Sequence, residues 1–487
     1  MESRIPKILH QLWIGPKKAP IKMMNTWKEK HPDFEYIFWN EQEVERRGMK
    51  FVCQKQIDEM EEINGKADIM RWEILAKYGG YFVDADSICI EPFDDFFFSK
   101  TAFATFENES IRQKLVATGT MGFIPNYPIC NDIINWIKSP DAEYMLKSLR
   151  AWGCVGPGVL TRFLETGKYK DFSVYPSLCF LPVHFTGLVY GGHKKVYAFQ
   201  AWGTANKTYD IMDTIELPKT LNEPKFWVSV LIPSYNTNIL FVKECLESIK
   251  NQEGHFGIEV VWVNDGSSDY STTLLEKELE LFEKRSRYCK VIYKKLDRHY
   301  GVTYAQHQGV LLCNNELIFR MDSDDIMTKY RIKTQIDFMK NNKDCVICGS
   351  NVQLFKNNDP MNLKEKTMYA ETFHPPCMTW EEYIKAQPSW FMNQPTFCMR
   401  KSAVLAVGNY NINRGIQIGE DYELELRLMH KYGKIYNISD KLVLYRLHAG
   451  QLTHNHDSNS SEMQELRKKI ISDIIGGNQG SPLTPFL

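Results

Sequence analysis

Between residues 228 and 322, four apolar strand-like runs alternate with three helical ones, and this constrains the fold more than any other feature of the chain. VSVLIPSY reads as a strand. FVKECLESIKNQ follows as a helix that puts Val242, Cys245, Leu246 and Ile249 on one face. EVVWVND is the next strand, and GSSD opens a helix after it. VIYKKL, VTYAQHQGVLLC and ELIFRMD then read as strand, helix and strand. Such alternation implies right-handed crossovers and a mainly parallel sheet. Ligands of such sheets gather beyond the carboxyl ends of the strands. Asp265 and Asp322 each close a strand, so both are expected at one crevice.

The amino-terminal half is less regular. KILHQLWIG and EYIFWN are strand-like. KADIMRWEILAKYGG reads as a helix with Ile69, Trp72, Ile74, Leu75 and Tyr78 making apolar contacts, closed by Gly79 and Gly80, and YFVDADSICI reads as the strand after it. A polar, proline-marked stretch separates the two halves. The division expected is a first domain over 1–212, a linker over 213–227, a second domain over 228–455, and a carboxyl-terminal helix and tail over 456–487. The fold class expected is α/β.

Lysine plus arginine, 59 residues, almost cancels aspartate plus glutamate, 60, which argues against a nucleic-acid partner. No run approaches the roughly 20 apolar residues that cross a bilayer, so no integral membrane segment is expected. The opening residues lack an apolar signal core, and the expected location is cytoplasmic, in a bacterium, a virus or a host cytosol. Cys345 and Cys348 form a Cys-x-x-Cys without a second pair, and DCVICGS reads as a buried strand rather than a zinc site.

Two places combine carboxylates with a strand end: Asp84-Ala-Asp86, and Asp322-Ser-Asp324-Asp325. Hard divalent cations take oxygen ligands, and a cation can neutralise the charge that develops on a departing diphosphate. A bare Asp-x-Asp is most often a solvated turn. Here both follow an apolar strand that itself follows a helix. Asp265 lies near a helix amino end, where backbone N–H groups and a carboxylate can read a nucleotide. Glu420 and Asp421 open a helix, and an acid there can take a proton from an acceptor hydroxyl. Arg446 and His448 alternate along the run YRLH.

In this order, VSVLIPSYN, VNDGSSD, MDSDD, GEDYELELRL and LYRLH resemble the motifs of glycosyltransferase family 2, inverting enzymes with the A-type nucleotide-binding (GT-A) fold. The resemblance implies that Tyr235 and Asp265 contact the base, and that Asp322, Asp324 and Asp325 hold ribose and metal. It further implies that Asp421 is the general base and that His448 sits near the metal diphosphate. Glu420 and Arg446 are grouped with the donor-binding residues. The family commonly has Ala-Arg-Asn where this chain has Ala305-Gln306-His307; Arg298, just upstream, is the candidate replacement for the basic contact.

Residues 5–210 resemble glycosyltransferase family 32, through IPKILHQLWIGP, ADIMRWEILAKYGGYFVDAD and VGPGVL. That resemblance implies a retaining enzyme in which Trp13 lies against the base, Asp68 and Arg71 reach the donor sugar and diphosphate, and Asp84 and Asp86 hold the metal. Where the family tends to read His-His-Trp, this chain has Gln200-Ala201-Trp202. Together the resemblances imply two Rossmann-like GT-A domains in tandem. They further imply Mn2+ or Mg2+, UDP- or GDP-linked sugars as donors, and a glycan or glycoconjugate acceptor. Two other readings stand beside this one: a degenerate first domain that only binds donor or acceptor, and a non-catalytic glycan-binding or virion-structural protein.

Overall fold

The helix Ile63–Tyr78 has ten buried residues among its sixteen, so it runs through the interior of its unit rather than over the surface. The computed structural model describes residues 4–359, 362–387, 390–414, 419–451 and 461–477. The chain divides into two compact units, residues 1–190 with 195–222, and residues 191–194 with 223–487.

In the first unit, β1 (Ile8–Leu12) lies parallel to β2 (Glu35–Trp39) and to β3 (Gly80–Val83). β4 (Ser87–Cys89) stands outside this sheet. β5 (Ala102–Asn108), β6 (Arg112–Phe123) and β7 (Phe172–Tyr175) complete the order β2-β1-β3-β6-β5-β7. A separate ribbon pairs β4 with β8 (Ala198–Gln200). The central helix fills the core with Ile69, Trp72, Ile74 and Leu75, and Trp72 Nε1 donates to the Val155 carbonyl at 2.7 Å. It stops at Gly79 and Gly80, both at positive φ; a Cβ on Gly80 would stand 2.6 Å from the Ile8 carbonyl oxygen. That approach seats β3 against β1. YFVDADSICI is not one strand: the chain leaves β3 after Val83 and re-enters at Ser87, so Asp84 to Asp86 form a bend. The bend turns both carboxylates towards Gln200, while the backbone stays tied on either side: the Asp84 N–H donates to the Gly119 carbonyl at 2.8 Å and the Asp86 carbonyl accepts the Ala201 N–H at 2.9 Å.

The second unit is built on β9 (Trp227–Ser234), β10 (Gly257–Asn264), β11 (Cys289–Lys295) and β12 (Leu317–Arg320), which lie parallel in the order β11-β10-β9-β12. Helices Ile239–Lys250, Asp269–Lys284 and Val302–Leu312 form the crossovers. Val242, Cys245, Leu246 and Ile249 are buried on the first of these, and Ser268 caps the second through the Ser271 N–H. The sheet is less parallel than the sequence suggests. Beyond β12 it continues through β13 (Ile326–Met327), β14 (Ile347–Asp359), β15 (Asn362–Glu371), β16 (Cys377–Thr379), β17 (Cys398–Arg400) and β18 (Lys434–Arg446). Of the pairings these strands make, only β14 with β18 is parallel. Strands not separated by a crossover helix can return antiparallel, as the β14–β15 hairpin does. Cys345 and Cys348 are buried where β14 begins, and neighbouring thiols and burial hold both well above the usual thiol range. The helix Ser461–Ile475 packs Ile470, Ile471 and Ile474 into the core of this unit.

Candidate active sites

In the second unit β9, β10 and β12 end side by side, and the carboxylates follow directly. One oxygen from each of Asp322, Asp324 and Asp325 falls within 4.8 Å of the others. Asp325 is fully buried. Its Oδ1 accepts the Arg446 N–H at 2.8 Å, and its Oδ2 has no hydrogen-bond partner. Burial, reinforced by the adjacent carboxylates, holds Asp325 far above the usual carboxylate range, and burial also raises Asp322. Like charges this close resist joint ionisation, so an orphaned buried oxygen in a three-carboxylate cluster fits a hard dication with oxygen ligands. His448 Nε2 lies 2.8 Å from Asp324 Oδ2. Phe241 is 5.2 Å from the same imidazole.

Arg446 is fully buried beneath this cluster. Its Nε donates to the Asp324 carbonyl at 2.6 Å, its Nη2 to Glu244 at 2.7 Å, and its Nη1 to Asn357. The Phe241 and Phe355 rings lie 4.2 and 4.7 Å from the guanidinium. Its donors are therefore spent on the fold.

Glu420 and Asp421 begin the helix Glu420–Tyr432. The Glu420 Oε1 accepts from Gln394 at 2.9 Å and from Gln306 at 3.4 Å, and burial with the Asp421 charge raises its carboxyl to about 7. Asp421 is half-buried, accepts its neighbour Tyr422 N–H at 2.8 Å, and is raised by burial. The Arg320 guanidinium donates to Asp322, and its charge is also felt by Glu420 and Asp421. It thereby links the metal-type cluster to the helix-start acids.

Asp265 is 2% exposed, and its two oxygens accept the Tyr300 and Gly301 N–H groups, each at 2.8 Å. His299 stacks on Tyr235 with centroids 3.9 Å apart, and its Nδ1 is 2.8 Å from Asp265. Arg298 lies over the Tyr300 ring at 4.7 Å.

In the first unit Arg71 organises the acids. It donates to Asp84 Oδ1 at 2.7 Å and to the Thr118 carbonyl, lies 3.4 Å from Asp68, and covers the Phe82 ring at 4.5 Å. Gln200 Nε2 donates to Asp86 at 2.7 Å and to Asp84 at 3.3 Å; the Gly203 N–H adds 2.8 Å to Asp86. Burial raises Asp68 and Asp86 each to about 6, and Asp84 is raised by burial against the pull of Arg71. Gly119 and Gly156 leave room for these carboxylates: a Cβ there would meet Asp84 at 2.8 Å and Asp68 at 2.5 Å. Trp13 is half-buried, donates to the Lys17 carbonyl at 2.7 Å, and meets Tyr209 edge-on at 5.5 Å.

Arg320, Gln394 and His299 were not singled out by the sequence. Arg320 carries a legible signal, a charge two residues before Asp322 inside an apolar strand. Gln394 and His299 sit in connections and carry none.

Known proteins resemble both units. The model for glycosyl transferase family 2 matches residues 229–407, and that for the glycosyltransferase sugar-binding region containing a DXD motif matches residues 18–103. An uncharacterized glycosyltransferase of Haemophilus influenzae is 27% identical over 241 residues, 48% of this chain and 82% of that protein. The amylovoran biosynthesis glycosyltransferase AmsE of Erwinia amylovora is 26% identical over 257 residues, 52% and 89% of the two chains. The inositol phosphoceramide mannosyltransferase 2 of Schizosaccharomyces pombe is 26% identical over 182 residues, 35% of this chain and 48% of that one. Among solved structures, S. aureus TarS 1-349 in complex with UDP-GlcNAc shares 17% identity and a TM-score of 0.37, over 51% of this chain and 72% of that one. With each unit matched to a sugar-transfer family over its own carboxylate-bearing segment or the strands leading to it, the chain is a tandem glycosyltransferase. A DXD-containing sugar-binding region lies in its first unit, and a family 2 unit follows.

Proposed function

We propose that the chain is bifunctional, transferring sugars from two nucleotide-diphosphate donors to a glycan or glycoconjugate acceptor. Both units are read as GT-A domains, over 1–212 and 228–455, joined by a linker over 213–227, with 456–487 as helix and tail. The first is assigned to glycosyltransferase family 32 with retention, the second to family 2 with inversion. The observation that carries this reading is that each unit has its own pair or triplet of buried or half-buried aspartates at the end of a central strand.

In the second unit Asp322, Asp324, Asp325 and His448 are the candidate holders of Mn2+ or Mg2+, which supplies charge neutralisation for the departing diphosphate. Asp421 takes the acceptor proton, since its burial-raised carboxyl favours accepting one. Tyr235, Asp265 and Arg298 serve the nucleotide side, Asp265 by fixing the 299–301 backbone. Glu420, clamped by Gln394 and Gln306, stands with the donor-binding residues, and Arg446 positions Asp324 and Asp325 from below. In the first unit Asp84 and Asp86 are the metal ligands, Asp68 and Arg71 the sugar and diphosphate contacts, and Trp13 the base platform.

One observation favours a second reading, in which the first unit only binds. Gln200 presents its amide N–H2 to both Asp84 and Asp86, a satisfied arrangement that needs no cation. The test uses the full chain with Mn2+ and a panel of UDP- and GDP-sugars, in Asp84→Ala, Asp324→Ala and double-variant forms. Each single variant should lose one donor's turnover and the double variant both. Turnover indifferent to Asp84→Ala for every donor would leave the first unit as a binding module.

A further inference from the structure

The first unit carries an arc of aromatic rings that returns to the aspartates at both ends. At one end Gly156 faces the Asp68 carboxylate, and its missing Cβ would also stand 3.4 Å from the Trp152 Cα. At the other end Trp202 lies between Ala201, whose N–H donates to the Asp86 backbone carbonyl at 2.9 Å, and Gly203, whose N–H donates to the Asp86 carboxylate at 2.8 Å. Arg112 spans the gap. Its guanidinium is 4.8 Å from the Trp152 ring and 5.6 Å from Phe185, and Phe185 meets Trp202 edge-on at 5.4 Å. Beneath the rings, buried Glu107 lies 3.3 Å from Arg112 and 3.4 Å from buried His184, which packs 4.2 Å from Phe185.

Two features set this arc apart from ordinary core. Trp152 is 45% exposed, and Arg112, Phe185 and Trp202 are half-buried, so part of each group stays open to solvent even though the Trp202 Nε1 is held by the Val183 carbonyl at 2.7 Å. The charges cancel locally: Glu107 neutralises Arg112, which suits a neutral polar ligand and not a second phosphate. Flat rings cover the C–H faces of a pyranose, while a part-exposed guanidinium at their edge, here Arg112 backed by Glu107, donates to its hydroxyls.

We propose that this arc is the acceptor subsite of the first unit and takes a neutral hexopyranose at the end of a glycan. The assignment rests on the reading of that unit as a donor-using transferase, because the acceptor must lie beside the Asp84–Asp86 bend. The Trp202 end meets that requirement through Gly203, bonded to Asp86, and the Trp152 end through Gly156 against Asp68, which Arg71 joins to Asp84.

The experiment uses the full chain and three probes, the methyl glycosides of glucose, galactose and mannose, read by saturation-transfer NMR. Calorimetry with UDP- and GDP-sugars and Mn2+ runs in parallel. At least one glycoside should bind. Trp152→Ala and Arg112→Gln should each weaken it about tenfold, or ~1.4 kcal/mol, whereas Trp152→Phe keeps it. Nucleotide binding should be unchanged in all three variants. Glycoside binding sensitive to Trp152→Ala, with no nucleotide binding that Asp84→Ala abolishes, would keep the sugar site and sink the donor reading. Glycoside affinity indifferent to both Trp152→Ala and Arg112→Gln, or no binding of any probe, overturns the proposal.

Discussion

Replacing Glu420 by glutamine should stabilise the second unit at alkaline pH while harming its chemistry. Burial and the Asp421 charge raise the Glu420 carboxyl from 4.5 to about 7. The folded state therefore holds this proton more tightly than the unfolded state does. The resulting stabilisation is present in full below pH 4.5, falls as pH rises from there to about 7, and is absent above. At about 1.4 kcal/mol per tenfold in proton affinity, a rise from 4.5 to about 7 is roughly 3 kcal/mol. That value already includes the opposing pull of Arg320 and of the Gln394 amide, and relaxation or solvent entry around the buried carboxylate lowers the penalty further. Glutamine keeps one oxygen for the Gln394 and Gln306 amides. The expectation for Glu420→Gln is thus a gain of about 1–3 kcal/mol at pH 8 that shrinks towards zero near pH 5. Hydrogen exchange of the amides in the helix Glu420–Tyr432, measured on the full chain from pH 5 to 8, reads this opening energy without requiring both units to unfold together. A variant no more stable than the parent at pH 8, or a gain that persists undiminished at pH 5, would refute the burial argument.

Three further outcomes follow from the same geometry. Asp421→Asn should keep donor affinity yet lose about 10²–10⁴-fold in transfer, checked by calorimetry beside product assay; parallel loss of donor affinity would make Asp421 a donor ligand. Asp325→Asn relieves a buried charge with an unpartnered oxygen, so it should raise metal-free melting temperature while weakening Mn2+ binding. A fall in both would show that the carboxylate is needed by the fold. Arg446→Met should destabilise the second unit by roughly 1–3 kcal/mol, because it leaves the buried Asp324 carbonyl without this donor and takes one of two cations from Glu244, which keeps Lys366; a urea midpoint within error of the parent would count against its positioning role.

The carboxylate-bearing strand ends were legible because two local signals coincide there: an apolar run stops, and acids follow at once. Asp322, Asp324 and Asp325 come together for that reason, and no long-range information was needed. What sequence could not convey was which polar groups the fold consumes. Arg446 and His448 are two residues apart in YRLH, yet one is welded under the cluster and the other touches Asp324 from its side. The difference lies in Glu244, Asn357 and two phenylalanines from remote segments. Gln306 likewise reads as a lost basic contact, and only the approach of Gln394 shows it as half of a clamp on Glu420. Most of the antiparallel half of the second sheet escaped for a related reason: apart from the β14–β15 hairpin, its strands are paired by contacts between distant segments, which periodicity does not register.

The stack of His299 on Tyr235 has a consequence for affinity. On the proposed reading of Tyr235 as a base platform, a flat ligand finds an imidazole already 3.9 Å from that ring and must displace it to take its place. The imidazole is half exposed and turns about its own side-chain bonds without disturbing the Tyr300 and Gly301 N–H groups that Asp265 holds. What it gives up is the stack and the 2.8 Å approach of its Nδ1 to Asp265. The ligand's measured affinity is then its intrinsic one less that cost, and His299→Ala should tighten binding.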